Sequence, residues 1–188
     1  MVASRSISTT VLVALLAVGP AWGMRNDQPG FDKLKLRQPL SEVQKTYPKM
    51  RKMNDSENLG AATILSPLLQ RYHQLGVKLS GLSKPVSLEL RFWKEQLWVV
   101  VVYFGENSRD DVVRMLKKRY GEPTFTQPDP AWNGKQVGVG YAPKEGWFSV
   151  GSIPIASEIQ NMMAAEMQRL RERQQQRSQP AAPAPVAP

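Results

Sequence analysis

An uninterrupted apolar run from Leu97 to Phe104 constrains the fold of this chain more than any other feature. The run is rich in valine and contains no charged residue. β-Branched residues favour strands, and a strand that is apolar at every position is typically covered on both faces. We therefore predict a central strand here. The sequence leaves open whether this chain or a second copy covers it.

The residues before this run alternate in polarity and predict a partner strand. Over residues 86–92, apolar side chains alternate with Ser87, Glu89 and Arg91. Such alternation is typical of a strand with one buried and one solvated face. A turn at residues 94–96 joins the two strands, so we expect an antiparallel hairpin.

Two helices and a second hairpin are predicted around these strands. Ser108 begins a helix that ends at Gly121, and a capping-box pattern at Ser41 begins an earlier one. The Asn133-Gly134 dipeptide is a strong tight-turn signal, and alternating residues follow it. We therefore predict an α+β fold, in which helices pack on one face of an antiparallel sheet.

The segment 61–76 fits two local structures. Its apolar residues recur at helical spacing, and Pro67 suits the first turn of a helix, so we favour a helix. A strand through Leu69–Tyr72 is the alternative.

Residues 1–23 have the layout of a secretory signal peptide. Arg5 is their only charged residue, an apolar stretch covers Val11–Val18, and Pro20 precedes two small residues at the positions that a cleavage site needs. The apolar stretch is too short to span a bilayer. We expect cleavage after Gly23 and a periplasmic or extracellular protein without a transmembrane segment.

Composition divides the remainder into four segments. Residues 24–30 are predicted to be a disordered lead, and residues 31–156 a single α+β domain. Residues 157–173 predict an amphipathic helix that begins at Ser157. The last segment, 174–188, is rich in Gln and then in Pro and Ala, and it cannot bury enough apolar area to become ordered.

The chain is strongly basic, with a formal net charge of +9 at neutral pH. Outside the cytoplasm, such a surface favours anionic lipid headgroups, cell-wall polymers or acidic proteins, and we expect no nucleic-acid partner. A solvated basic face without a dedicated partner fits the charge equally well.

No motif predicts catalysis, a metal or a cofactor. The absence of cysteine excludes thiol catalysis, cysteine metal sites and a lipid-modified N-terminal cysteine. The one histidine, His73, lacks a second histidine at helical spacing. A secreted polysaccharide hydrolase is the enzymatic alternative, using Glu89, Glu95 or Asp129. It needs two acids about 5–9.5 Å apart, which no spacing in the sequence indicates.

Gly138 and Gly140 alternate with Val139 in a predicted strand and leave one of its faces without side chains. Something must approach such a face closely. We favour internal packing by a helix or an aromatic ring over a partner.

Five residues are candidates for binding a partner. Trp93 and Trp147 flank predicted turns, where we expect exposure, and Arg169, Arg171 and Arg173 lie on the last helix. They favour a non-enzymatic envelope protein that binds a protein or an anionic envelope component, in an assembly, inhibitor or scaffold role. A structural protein held at a membrane surface by its basic helix is a further alternative.

Two short motifs precede predicted strands, namely Pro-Leu-Ser-Glu-Val-Gln-Lys-Thr-Tyr-Pro (39–48) and Lys-Lys-Arg-Tyr-Gly-Glu-Pro (117–123). With the Trp-containing strand pair at 132–150, their order is similar to the helix–strand–strand units of the beta-lactamase-inhibitor-protein-like superfamily. That group includes the small lipoprotein of the outer-membrane barrel assembly machinery, whose anchoring cysteine this chain lacks. The two motifs also echo each other, which leaves a doubled helix–strand–strand unit open. The resemblance implies a binding or assembly role, and it carries over no site residue.

Overall fold

The computed structural model of the protein describes residues 24–53, 68–126 and 128–178. Ala156 ends one compact unit, and the chain from Ser157 onward forms a second. The strands are β1 (Gly30–Phe31), β2 (Leu34–Lys35), β3 (Arg51–Lys52), β4 (Leu69–Val77), β5 (Val86–Trp93), β6 (Gln96–Tyr103), β7 (Ala131–Asn133), β8 (Val137–Ala142) and β9 (Trp147–Ser152). The helices are α1 (Leu40–Thr46), α2 (Arg109–Tyr120), which follows a 3-10 turn at Glu106–Ser108, and α3 (Ile153–Ser178).

Seven of these strands form one antiparallel sheet in the order β3-β4-β5-β6-β9-β8-β7, and β1 pairs with β2 separately. Each half of the large sheet is a helix followed by a meander, α1 before β3–β6 and α2 before β7–β9. The last strand of each half meets the other at the centre, where β6 pairs with β9. The predicted α+β fold with an antiparallel sheet is confirmed.

One hydrophobic core joins α1 and α2 to the same face of this sheet. Val43 of α1 and Leu116 of α2 belong to one buried cluster with the inward-facing side chains of the strands. The strand residues of the cluster include Leu88, Leu90, Phe92, Val100, Val102, Val139, Phe148 and Val150. Because side chains alternate along a strand, the intervening residues lie on the opposite face, which we call the second face.

The apolar run at Leu97–Phe104 forms the predicted central strand. β6 is fourth of the seven strands, and Val99, Val100, Val101 and Val102 are all fully buried. These valines alternate between the two faces, so both faces of β6 are covered within a single copy of the chain.

The helix favoured for residues 61–76 is wrong over its described part, where the strand alternative is correct. β4 begins at Leu69 and pairs with β5 from Leu69 to Gln74 and again at Val77. Only Tyr72 and Val77 of β4 are buried, so the apolar stripe does not form the continuous buried face that a helix would need. Residues 61–67 lie outside the described residues.

The N-termini of α1 and α3 differ from those that the capping-box patterns predicted. Pro39 is the N-cap of α1, and no side chain caps the helix, so the expected capping box at Ser41 is absent. The last helix begins at Ile153, not at Ser157, and extends beyond Arg173 to Ser178. Its second residue is a proline, which suits a first helical turn, and the Gln and Arg residues at its end are good helix formers.

The lead at residues 24–30 is ordered, contrary to the sequence prediction. The Asp27 carboxylate accepts hydrogen bonds from the backbone N–H groups of Lys135, Gln136 and Val137, at 2.7, 3.0 and 2.9 Å. The tight turn between β7 and β8 leaves these consecutive donors without strand partners. A carboxylate distant in sequence satisfies them, which holds the lead on the domain.

Candidate functional site

A cluster of charged residues lies on the second face, where β3, β4 and β5 are neighbours. Arg71 stands directly opposite Arg91, and His73 directly opposite Glu89. Arg51 of β3 stands opposite His73 in turn. The sheet register therefore brings residues from three strands together on one face.

Glu89 is the centre of a hydrogen-bonded group that we call the Glu89 network. Its Oε1 accepts hydrogen bonds from Arg71 Nε at 2.9 Å and Arg91 Nε at 2.8 Å. Its Oε2 accepts one from the Tyr103 hydroxyl at 2.8 Å. The Glu89 side chain is 5% exposed, against 18% for Arg71 and 13% for Arg91. The sequence predicted a solvated position for Glu89, and that prediction is wrong.

Burial and the charges within the network together determine the protonation states of Glu89 and Tyr103. Burial on its own raises the pKa of Glu89, but the charges of Arg91 and Arg71, with hydrogen bonds from Arg71 and Tyr103, together hold it below its ordinary value. Burial and then the charge of Glu89 raise the pKa of Tyr103 well above its usual range. Around neutral pH, Glu89 is therefore a permanent acceptor and Tyr103 a permanent donor.

The two guanidiniums carry hydrogen-bonding capacity that Glu89 does not use. Arg71 and Arg91 each give their Nε–H to the carboxylate, and their Nη groups make no hydrogen bond to another described residue. Two guanidiniums against one carboxylate leave an excess of positive charge. This arrangement can hold an anion.

The acids proposed for a hydrolase do not converge in the described part of the chain. Glu95 lies in the turn after β5, and the end of that strand at Trp93 is already about 13 Å from Glu89 at roughly 3.3 Å per residue. Asp129 precedes β7, at the far edge of the sheet. No group of three or more His, Asp or Glu side chains that could hold a metal ion occurs among the described residues.

The structure buries both tryptophans that the sequence placed among the partner-binding residues. Trp93 is 2% exposed and Trp147 is 6% exposed, so the expected exposure is wrong for both. Trp93 pairs with Gln96 and Trp147 with Tyr103, so each is part of a strand ladder and not of a turn.

The other three candidates, Arg169, Arg171 and Arg173, are exposed on α3 within the second compact unit. Arg169 forms an ion pair with Glu166 one turn away, at 3.4 Å. No helix in the described residues is both long and apolar enough to cross a membrane.

The bare strand face predicted at Gly138 and Gly140 extends onto the neighbouring strand. Gly138 pairs with Gly151, and Gly140 with Ser149, so small residues adjoin across β8 and β9. All four are buried within a single copy of the chain, which agrees with the internal packing that we favoured.

Sequence reasoning missed the Glu89 network because its members meet through strand register. Arg71 precedes Glu89 by 18 residues, and the ladder between β4 and β5 contains an irregularity between Gln74 and Val77. One local signal was present. Arg91 follows Glu89 by two residues, which in a strand puts both side chains on one face.

No protein-family model matches this chain, and neither the curated proteins nor the solved structures include a significant match to it. The resemblance to beta-lactamase-inhibitor-protein-like units therefore stays a prediction.

Proposed function

We propose that this chain is a non-enzymatic exported envelope protein that binds a protein or an anionic envelope component, in an assembly, inhibitor or scaffold role. The observation that carries the proposal is the Glu89 network. Its buried carboxylate is held ionised and fixes two guanidiniums, which together exceed it in positive charge. Fixed charges of this kind favour recognition, because they set specificity and association rate without moving a proton.

The same network argues against a general acid at Glu89. A glycosidase acid needs a raised pKa so that it can donate a proton near neutral pH. Arg71 and Arg91 have the opposite effect on the pKa of Glu89. A carboxylate that accepts three hydrogen bonds has little capacity left for a substrate.

Export supports an anionic partner outside the cytoplasm. The signal-peptide pattern of residues 1–23 and the net charge of +9 fit a basic protein in a compartment where anionic lipids, polymers and acidic proteins are accessible. The exposed arginines Arg169, Arg171 and Arg173 add to that charge.

A crosslinked pull-down of the purified protein from envelope extract, at low and at moderate salt, tests the proposal. An unrelated basic protein of similar pI is the control. One protein that survives moderate salt supports a protein partner, and only salt-labile lipid or polymer supports an anionic component, because salt screens exposed charges. Capture no greater than that of the control contradicts the proposal.

A second candidate is a structural protein held at the membrane surface by α3. The exposed arginines of that helix favour it, since basic helices bind anionic headgroups. It predicts salt-sensitive binding to anionic vesicles that disappears when the chain is truncated after Ala156. Unchanged vesicle binding by the truncated chain contradicts it.

A further inference from the structure

Arg71 and Arg91 stand side by side although their charges repel each other. Direct cross-strand neighbours have Cβ atoms about 4.5–5.5 Å apart, and like charges at such positions are destabilising. The shared Glu89 oxygen compensates for this repulsion through hydrogen bonds of 2.9 and 2.8 Å. Both guanidiniums are thereby held in place before any ligand arrives, which lowers the entropy cost of binding.

The Nη donors that Glu89 does not use determine which ligands Arg71 and Arg91 can bind. Each guanidinium has committed its Nε–H and retains its Nη groups, which make no hydrogen bond to another described residue. Both side chains are mostly but not fully buried. Partial burial reduces water screening, so each remaining donor interacts with an anion more strongly than an exposed one would.

The chemistry of two adjacent guanidiniums favours a tetrahedral oxyanion. A planar carboxylate has only two oxygens, and one guanidinium can engage both of them in bidentate fashion. A phosphate has enough oxygens to accept hydrogen bonds from two guanidiniums at once, and arginine suits it because the planar group matches phosphate geometry.

We propose that Arg71 and Arg91 bind one phosphate group of the anionic partner, with Glu89 and Tyr103 as positioning residues. The inference rests on the proposed function, since it names the chemical class of that partner. Arg51, exposed on the edge strand and opposite His73, adds positive charge beside the pair and attracts an approaching anion.

Titration of the purified protein with inorganic phosphate, followed by NMR of the arginine Nε–H signals, tests this site. Acetate at equal ionic strength is the matched anion. We expect phosphate to shift the Arg71 and Arg91 signals and acetate to bind at least about tenfold more weakly, because acetate carries less negative charge and has two oxygens where phosphate has four. Equal binding of the two anions would overturn the proposal.

Two conservative variants separate geometry from charge. Arg71→Lys and Arg91→Lys keep the positive charge but lose the planar donor group, and we expect each to weaken phosphate binding about tenfold. Arg114→Lys, at an exposed position on α2, is the control and should bind like the parent. Thermal melts verify that each variant is folded. Unchanged phosphate affinity in both folded variants would exclude the site.

Vesicles distinguish the two sources of the phosphate. Sedimentation with phosphatidylcholine vesicles that contain phosphatidate, lost in Arg71→Lys and Arg91→Lys, identifies a lipid headgroup. Binding of inorganic phosphate without vesicle binding identifies a soluble or polymer-linked phosphate, and both results support the site. If the variants capture the same envelope partner as the parent, the site fails and the proposed function stands. If the parent captures none, the proposed function itself fails.

Discussion

The two halves of the seven-stranded sheet share one core and one architecture, yet their second faces differ in chemistry. The β3–β5 part of the first half carries Arg71, Glu89 and Arg91. The second half carries small residues at the corresponding places, with Gly138 opposite Gly151 on β8 and β9. Two sheet halves that are alike on the core face therefore carry charged residues on the second face in one half and small residues in the other.

The largest expected effect on stability comes from removing Glu89, the centre of the charged residues in the first half of the sheet. Glu89→Ala leaves two mostly buried guanidiniums without their counter-ion, and we expect it to lower the free energy of unfolding by about 3 kcal/mol. Urea denaturation measures the loss.

Glu122→Ala is the matched control for that substitution. The Glu122 side chain is 76% exposed and ion-paired with Lys117, so its loss should cost less than about 0.5 kcal/mol. Equal losses for the two variants would mean that the charged half is as well solvated as an ordinary surface.

The second half of the sheet, which carries small residues on its second face, should lose stability when a large side chain is introduced there. Gly140→Leu adds a large side chain at a buried position beside Ser149, and we expect a loss of about 2 kcal/mol in urea denaturation. Gly105→Ala is the control, because a Cβ there meets nothing within 4 Å. A negligible effect of Gly140→Leu would show that the second face has room at β8.

The turn that closes the small-residue half depends on a distant carboxylate. Asp27→Ala removes the acceptor for three backbone N–H groups, and we expect a loss of about 1 kcal/mol. Hydrogen exchange should accelerate at Lys135, Gln136 and Val137. Unchanged exchange there, with Asp129→Ala as the control, would show that the lead does not stabilise the turn.

A smaller effect is expected in the pH dependence of stability. The folded-state pKa of Glu89 lies below its ordinary value of 4.5, so its contribution is present above that value and is lost as the pH falls through the folded pKa. Glu89→Gln should therefore lose less stability than the parent between neutral and acidic pH. Parallel pH profiles in urea denaturation would contradict the assignment of a depressed pKa.

Local patterns predicted the elements whose burial is encoded within a single segment. The apolar run of β6 and the alternation of β5 gave both strands, and the helix before Gly121 was also found. β4 was assigned incorrectly because its apolar residues fit a helical period as well. Its pairing with β5 decides the outcome, and no pattern within 69–77 encodes that pairing.

The site was less predictable than the fold because it depends on contacts between segments. The alternating pattern of β5 predicted a solvated position for Glu89, and only the register of β4 brings Arg71 to it. The lead was missed for the same reason, since Asp27 acts on a turn more than a hundred residues away. Trp93 and Trp147 were misplaced because proximity to a turn does not determine exposure.

The pairing of β6 with β9 constrains the order in which the sheet can form as the chain is synthesised. β6 gains its second neighbour only when β9, the last strand of the described residues, arrives. Until then, an apolar strand displays a row of unpaired N–H and C=O groups, which is a template for pairing with another chain. A polypeptide that emerges N-terminus first therefore passes through an aggregation-prone stage, which ends only when the residues up to Ser152 have emerged.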